Sequence, residues 1–179
     1  FCCNSCSAMV DPSLLSAMLM PFWVSLKLAG VTTLCLLLLA TPLAYWLARS
    51  SRYRFVSRFK VILLGVIAMP LVLPPTVMGF YLLLLMSPNS LIGQWLSAHN
   101  LAGLVFTFEG LVVGSIIYSL PFYVQPVYAQ FLRIPKSVTE MAQLLEASRL
   151  RRFITIALPQ ARIGIILGSL ISFAHTIGE

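Results

Sequence analysis

The run from Phe22 to Leu47, FWVSLKLAGVTTLCLLLLATPLAYWL, constrains this chain more than any other stretch. Wound as a helix at about 1.5 Å per residue, it reaches about 39 Å, enough to cross a bilayer. Lys27 sits near one end, where its stem can carry the ammonium to the interface, a simpler reading than a buried functional charge. Trp23 and the Tyr45-Trp46 pair stand at opposite ends, as interfacial aromatics do. Across all 179 residues, 59% hydrophobic and 9% charged, too little polar surface exists to cover a soluble core. The expected fold class is an all-α membrane protein.

The basic residues set the expected topology. Arg49, Arg52, Arg54, Arg58 and Lys60 follow the first span with no acid among them, which predicts a cytoplasmic loop and an external N-terminus. A second span is expected over Val61–Met86, interrupted by Pro70, Pro74 and Pro75. Each proline removes a backbone donor, so this span is predicted to kink, either to face a pore or as a structural feature alone. Ser87 to Phe108 holds no Lys or Arg and is expected outside, with a short surface helix over Leu91–Ala98 and a solvated His99. A third span is expected over Leu111–Phe131, with Pro121, Gln125 and Pro126 inside it. Glu109 opens it, where a carboxylate suits the helix dipole.

From Arg133 to Arg162 inclusive there are six basic residues against Glu140 and Glu146, so this loop is predicted cytoplasmic as well. The fourth run, Ile163–Ile177, is short for a span and is read as cut off by the end of the chain. Four spans are thus visible, the fourth incomplete. Residues 1–21 are expected to form an external lead-in, with 1–8 expected to be foreign to the working protein and Met9 its natural start, and 22–179 a transmembrane domain. The net charge of +7 is assigned to topology beside anionic lipid, not to nucleic acid. Cys2, Cys3 and Cys6 lack His neighbours and tetrahedral spacing, so neither metal nor cofactor is expected. The pattern GxxxxGK[ST] is absent, so the chain carries no ATP site of that kind.

The long polar stretch, Ser137 to Pro159, is SVTEMAQLLEASRLRRFITIALP. Ser137 and Glu140 fit a capping box, and Val138, Met141, Leu144 and Leu145 make an apolar stripe on a helix too short to cross a membrane. Ser148 is placed to cap a second helix over Arg149–Ile156, ended by Leu158-Pro159. Two short angled helices on the membrane surface suit a docking element for a soluble partner, or equally an ordinary surface pair resting on lipid.

Glu140-Met141-Ala142, Ala147-Ser148, Phe153 and Leu158-Pro159 resemble the cytoplasmic coupling loop of ABC importer permeases. That resemblance implies a helical bundle of about five spans whose loop, 132–160 here, docks into an ATP-hydrolysing partner through Glu140, Ala142, Leu145, Ala147, Ser148, Leu158 and Pro159. Glu146 stands where the family has glycine; a left-handed backbone there would cost about 1–2 kcal/mol. Pro70 to Tyr81, Phe106 to Gly110, Tyr118 to Phe122 and Phe173 to Glu179 extend the resemblance to the molybdate branch of that family, with sulfate permeases nearest. The branch implies an inner-membrane homodimer, two ATPase copies, an external molybdate-binding protein and an oxyanion path, for which Pro74, Pro75, Thr76 and Ser119 are the candidates. The alternatives are a sulfate or tungstate permease and a non-transporting membrane remnant.

Overall fold

The computed structural model describes residues 12–49, 54–87, 90, 93–94, 107–146 and 148–179. Among them every regular element is helical and none is a strand. Helix α1 spans Pro12–Ala48, α2 Arg54–Ala68, α3 Pro75–Met86 and α4 Phe108–Leu132. Three short elements follow, α5 (Lys136–Leu144), α6 (Arg149–Arg152) and α7 (Leu158–Gln160), and then α8 (Arg162–Gly178). Among the described residues, two uninterrupted helices are long and apolar enough to cross a membrane, Leu19–Ala48 and Phe108–Leu132. Two bent pairs raise the number to four if each is one span.

Helices α1, α4 and α8 form the core. Lys27 lies over the Phe108 ring, Thr41 meets Tyr123, and Tyr45 packs on Phe131, so α1 and α4 run in the same direction. Gly164 faces Pro126 and Gln130, Gly168 faces Tyr123, and Thr176 meets Ser119, so α8 runs against α4. This alternation gathers both basic loops at one end, where Tyr45 also packs on Phe153 with ring centroids 5.0 Å apart. Lys60 closes the same end by donating to the carbonyls of Trp46, in the last turn of α1, and of Arg49 just past it. Those carbonyls have no partner within their helix, and an ammonium there also complements the dipole.

Small residues let the helices approach. Gly164, Gly168, Ser172 and Thr176 recur every fourth position of α8 and are all buried. A Cβ on Gly164 would stand 2.5 Å from Gln130 Cγ and 2.8 Å from the Pro126 carbonyl oxygen. Within a membrane, where lipid is as apolar as leucine, such close packing is what holds helices together. Gly164→Ala is therefore expected to destabilise the bundle by about 1–3 kcal/mol, because the backbone oxygen cannot swing aside. Thermal unfolding in detergent checks it. Thr41 spends its only hydroxyl hydrogen on the Leu37 carbonyl (2.6 Å), so at their 2.8 Å contact Tyr123 is the donor and Thr41 the acceptor.

Three expectations are corrected. Val61–Met86 is not one kinked helix: α2 passes through a 3₁₀ turn (Met69–Leu71) and α3 leaves at 115°. The cause is the double proline. Pro74, restricted by the ring of Pro75, takes an extended ψ of 142°, and its carbonyl then accepts from Val77 and Met78 to start α3. Secondly, α5 begins at Lys136, so Ser137 lies inside the first turn and not at the cap that the capping box requires. Pro135 displaces it: its ring presets the backbone, and its carbonyl accepts from Val138 at 3.2 Å. Thirdly, Leu158-Pro159 does not end the second helix, as described below. The run foreseen as a span at Leu111–Phe131 is α4, the run at Ile163–Ile177 is helical as α8 but long enough to cross only if joined to Arg149–Gln160, and α1 is helical from Pro12, well ahead of Phe22. Of the segment over Leu91–Ala98 only residues 93–94 are described, and they are helical; His99 and the N-terminal cysteines lie outside the described residues.

Candidate functional site

At the end that collects the basic loops, α5 and α6 form an elbow. Its bend is Glu146, whose φ of 53° makes it the only non-glycine with positive φ among the described residues. In that region the Cβ crowds the following carbonyl, which is why helices usually turn there on glycine. Ser148 then caps α6: its Oγ accepts from the Arg151 amide at 3.3 Å. This supplies one acceptor for the four amides that a helix start leaves unpaired.

Beyond α6 the chain widens into a π turn, Phe153–Ala157, before α7. Pro159 has no amide hydrogen, and its ring would crowd the carbonyl four residues back in a regular α-helix. The wider turn lets Leu158 bond to the Phe153 carbonyl, and helical backbone runs through the proline to Gln160. The break comes at Ala161 instead, where Arg149–Gln160 and α8 meet at 72°. Ala157 and Ala161 are buried in the bundle core, and Phe153 packs on Tyr45, so this half of the elbow is anchored to α1, α4 and α8.

The other half is open. Ala142 is buried, whereas Met141, Leu144 and Leu145 are exposed, the last two by 84% and 81%, and Leu150 joins them on α6. The stripe foreseen on α5 thus presents apolar side chains outward. Glu140 and Pro159 are exposed, Leu158 is half-buried, and Ala147 lies outside the described residues. Arg149 and Arg151 flank the elbow as exposed cations, while Arg152 is buried. One half of the elbow is thus packed into the bundle and the other carries exposed apolar side chains, with the left-handed Glu146 between them.

The four path candidates are not alike. Pro74 and Thr76 are exposed at the break between α2 and α3. Of Pro75 only the backbone, at the start of α3, is described. Ser119 is fully buried near the middle of α4, 3.1 Å from Thr176 Oγ1 and 3.3 Å from His175 Nδ1. The polar groups around it, Ser115, His175 and Glu179, went unnoticed in the sequence as a group; the signal was the ionisable pair His175 and Glu179, spaced by four on an apolar helix. Thr107 was also missed as the cap of α4, where its Oγ1 accepts from Gly110 at 3.3 Å. No group of three metal-ligating side chains occurs among the described residues.

The comparisons with known proteins agree with this architecture. The chain is 47% identical over 156 residues to the molybdenum transport system permease protein ModB of Azotobacter vinelandii, covering 87% of this chain and 67% of that protein. A putative molybdenum transport system permease protein of Bacillus subtilis is 31% identical over 159 residues, 89% of this chain and 68% of the relative. The sulfate transport system permease protein CysW of Escherichia coli K12 is 30% identical over 171 residues, 96% of this chain and 55% of that protein. The chain spans about two thirds of the length of the two molybdenum-transport relatives. The family described as binding-protein-dependent transport system inner membrane component matches residues 40–179, and the chain belongs to it.

Proposed function

We propose that this chain is the permease subunit of an ATP-driven importer of molybdate, forming the oxyanion path and coupling it to a separate ATPase. The observation that carries the reading is the elbow: an outward apolar face on α5, joined through Glu146 to a segment anchored beside Tyr45 and Phe131. Likeness to permeases named for molybdenum transport supports the cargo. The end with both basic loops is cytoplasmic and the N-terminus is outside, following the excess of Arg and Lys. Two copies of the chain line the path between them, receive molybdate from an external binding protein and bind two ATPase copies below.

The permease makes and breaks no covalent bond; ATP is hydrolysed by the partner. Glu140, Leu145, Ala147 and Pro159 meet the partner's surface, Ala142 and Leu158 seat the arm, and Ser148 caps the helix that leaves the bend. When ATP draws the two ATPases together, the docked elbows follow, and the spans shift between outward and inward openings because the partner binds the two states unequally. Pro74, Pro75 and Thr76 at the break, with Ser119, line the path.

A sulfate permease is the second reading, favoured by the 30% identity to a sulfate transport system permease over 96% of this chain. Uptake of radiolabelled molybdate in the presence of excess sulfate separates the two. Undiminished molybdate uptake is expected, and its suppression by sulfate would overturn the assignment of cargo.

A further inference from the structure

The N-terminal half of α4 and the C-terminal end of α8, with Glu179 just past it, share a set of polar contacts. Ser115 Oγ donates to Glu179 Oε2 at 3.0 Å. His175 Nδ1 lies 3.3 Å from Glu179 Oε1 and 3.3 Å from Ser119 Oγ. Thr176 donates its one hydroxyl hydrogen to the Ser172 carbonyl at 2.9 Å, so it can only accept from Ser119. Ser119 has then spent its hydrogen and can only accept from His175. The chain of donors therefore fixes the imidazole hydrogen on Nδ1, shared between Ser119 and the Glu179 carboxylate. Tyr118 and Phe122 hold the ring, with centroids 4.8 Å and 4.1 Å from it.

Ser115 stands about 10 Å along α4 from its start and Ser119 about 16 Å, at about 1.5 Å per residue, which puts the set at membrane depth. The His175 and Glu179 side chains are nevertheless 19% and 24% exposed on the surface of the chain. A carboxylate at this depth does not face lipid; it faces protein or a water-filled cavity. The donors that converge on it, a buried hydroxyl and an oriented N–H, are what an acceptor-only oxyanion requires. The carboxylate is itself an acceptor-only anion.

Resting on the reading that this chain carries an oxyanion, we propose that Ser115 Oγ–H and His175 Nδ1–H form an oxyanion subsite on the path, which the Glu179 carboxylate fills when no cargo is present. Glu179 acts as an internal stand-in for the cargo and as a latch between α4 and α8. An arriving tetrahedral dianion takes over both donors, Glu179 swings out by charge repulsion, and the α8 end is released from α4. Ser119 and the two rings keep Nδ1–H aimed at the site throughout.

The test is ATP-driven uptake of radiolabelled molybdate by the complete permease, assembled with its ATPase and binding protein in proteoliposomes, measured against molybdate concentration. Glu179→Gln keeps one acceptor oxygen for Ser115 and removes the competing charge, so the half-saturating concentration is expected to fall about tenfold. Ser115→Ala removes a donor and is expected to raise it about fivefold. A purely structural cluster would move both in the same direction or neither, and either result overturns the proposal. If Glu179→Gln fails to assemble, Glu179→Asp, which draws the charge back by one methylene, gives the same fall; an unchanged or raised value there also overturns it. Wild-type protein that accumulates no molybdate would defeat the functional reading itself, a separate outcome from wild-type uptake with unshifted variants.

Discussion

Aspartate at both Leu144 and Leu145 is expected to leave the permease folded and to abolish its capture of the ATPase. Both side chains are more than four-fifths exposed, so the bundle loses no packing when they change, and surface substitutions of this kind stay within about 0.5 kcal/mol. Their burial under a partner is a different matter. Each leucine contributes about 1.5–3 kcal/mol when fully covered. An aspartate in its place brings an unpaired charge into an apolar contact, which adds to the loss. Together the two changes weaken docking by at least about 100-fold. Co-purification of the ATPase with the variant, beside thermal unfolding of the permease alone, reads both halves. Retained capture at unchanged stability would show that the partner sits elsewhere.

The second large effect is expected at Glu146. Its φ of 53° costs about 1–2 kcal/mol for a residue with a Cβ. Glycine removes that strain but gives back about 0.5–1 kcal/mol in backbone entropy, so the net gain in stability is small. Its consequence for coupling is larger, because the strained bend joins the docked arm to the anchored one. Glu146→Gly is expected to raise molybdate-dependent ATP hydrolysis in the reconstituted complex. Glu146→Pro is expected to abolish it, since a ring locked near −65° cannot reach this bend. ATPase rates unchanged in both variants would remove the elbow from the account of coupling.

Why Glu146 was legible and Ser115 was not is a matter of range. A left-handed bend at Glu146 was raised as a condition by the resemblance, whose short motif has glycine at that position, and φ of 53° meets it. The membrane spans were legible for a similar reason: Phe22–Leu47 is long and apolar enough to speak for itself. Hidden were the features that depend on neighbours far along the chain. Ser119 and His175 are 56 residues apart, and nothing local to either announces the contact. The four-residue recurrence of Gly164, Gly168, Ser172 and Thr176 was visible as spacing, yet which helix it packs on was not.

The local misreadings have local causes as well. Ser137 matched a capping pattern, but Pro135 two residues earlier presets its own turn and moves the helix start forward. Pro159 looked like a stop, and a widened turn absorbed it instead. At Pro74-Pro75 the effect was underestimated: two consecutive rings force an extended residue between helices, and the outcome is a 115° break. Proline thus did three different things in one chain, and the flanking packing decided which.

The most direct test of the central claim is ATP hydrolysis by the complete permease–ATPase assembly in proteoliposomes, with and without molybdate-loaded binding protein outside, alongside accumulation of radiolabelled molybdate inside. The account predicts that the loaded binding protein stimulates hydrolysis and that molybdate accumulates in step, with both lost in the Leu144→Asp, Leu145→Asp double variant. Hydrolysis indifferent to the loaded binding protein, or molybdate crossing at the same rate in the double variant, would contradict it.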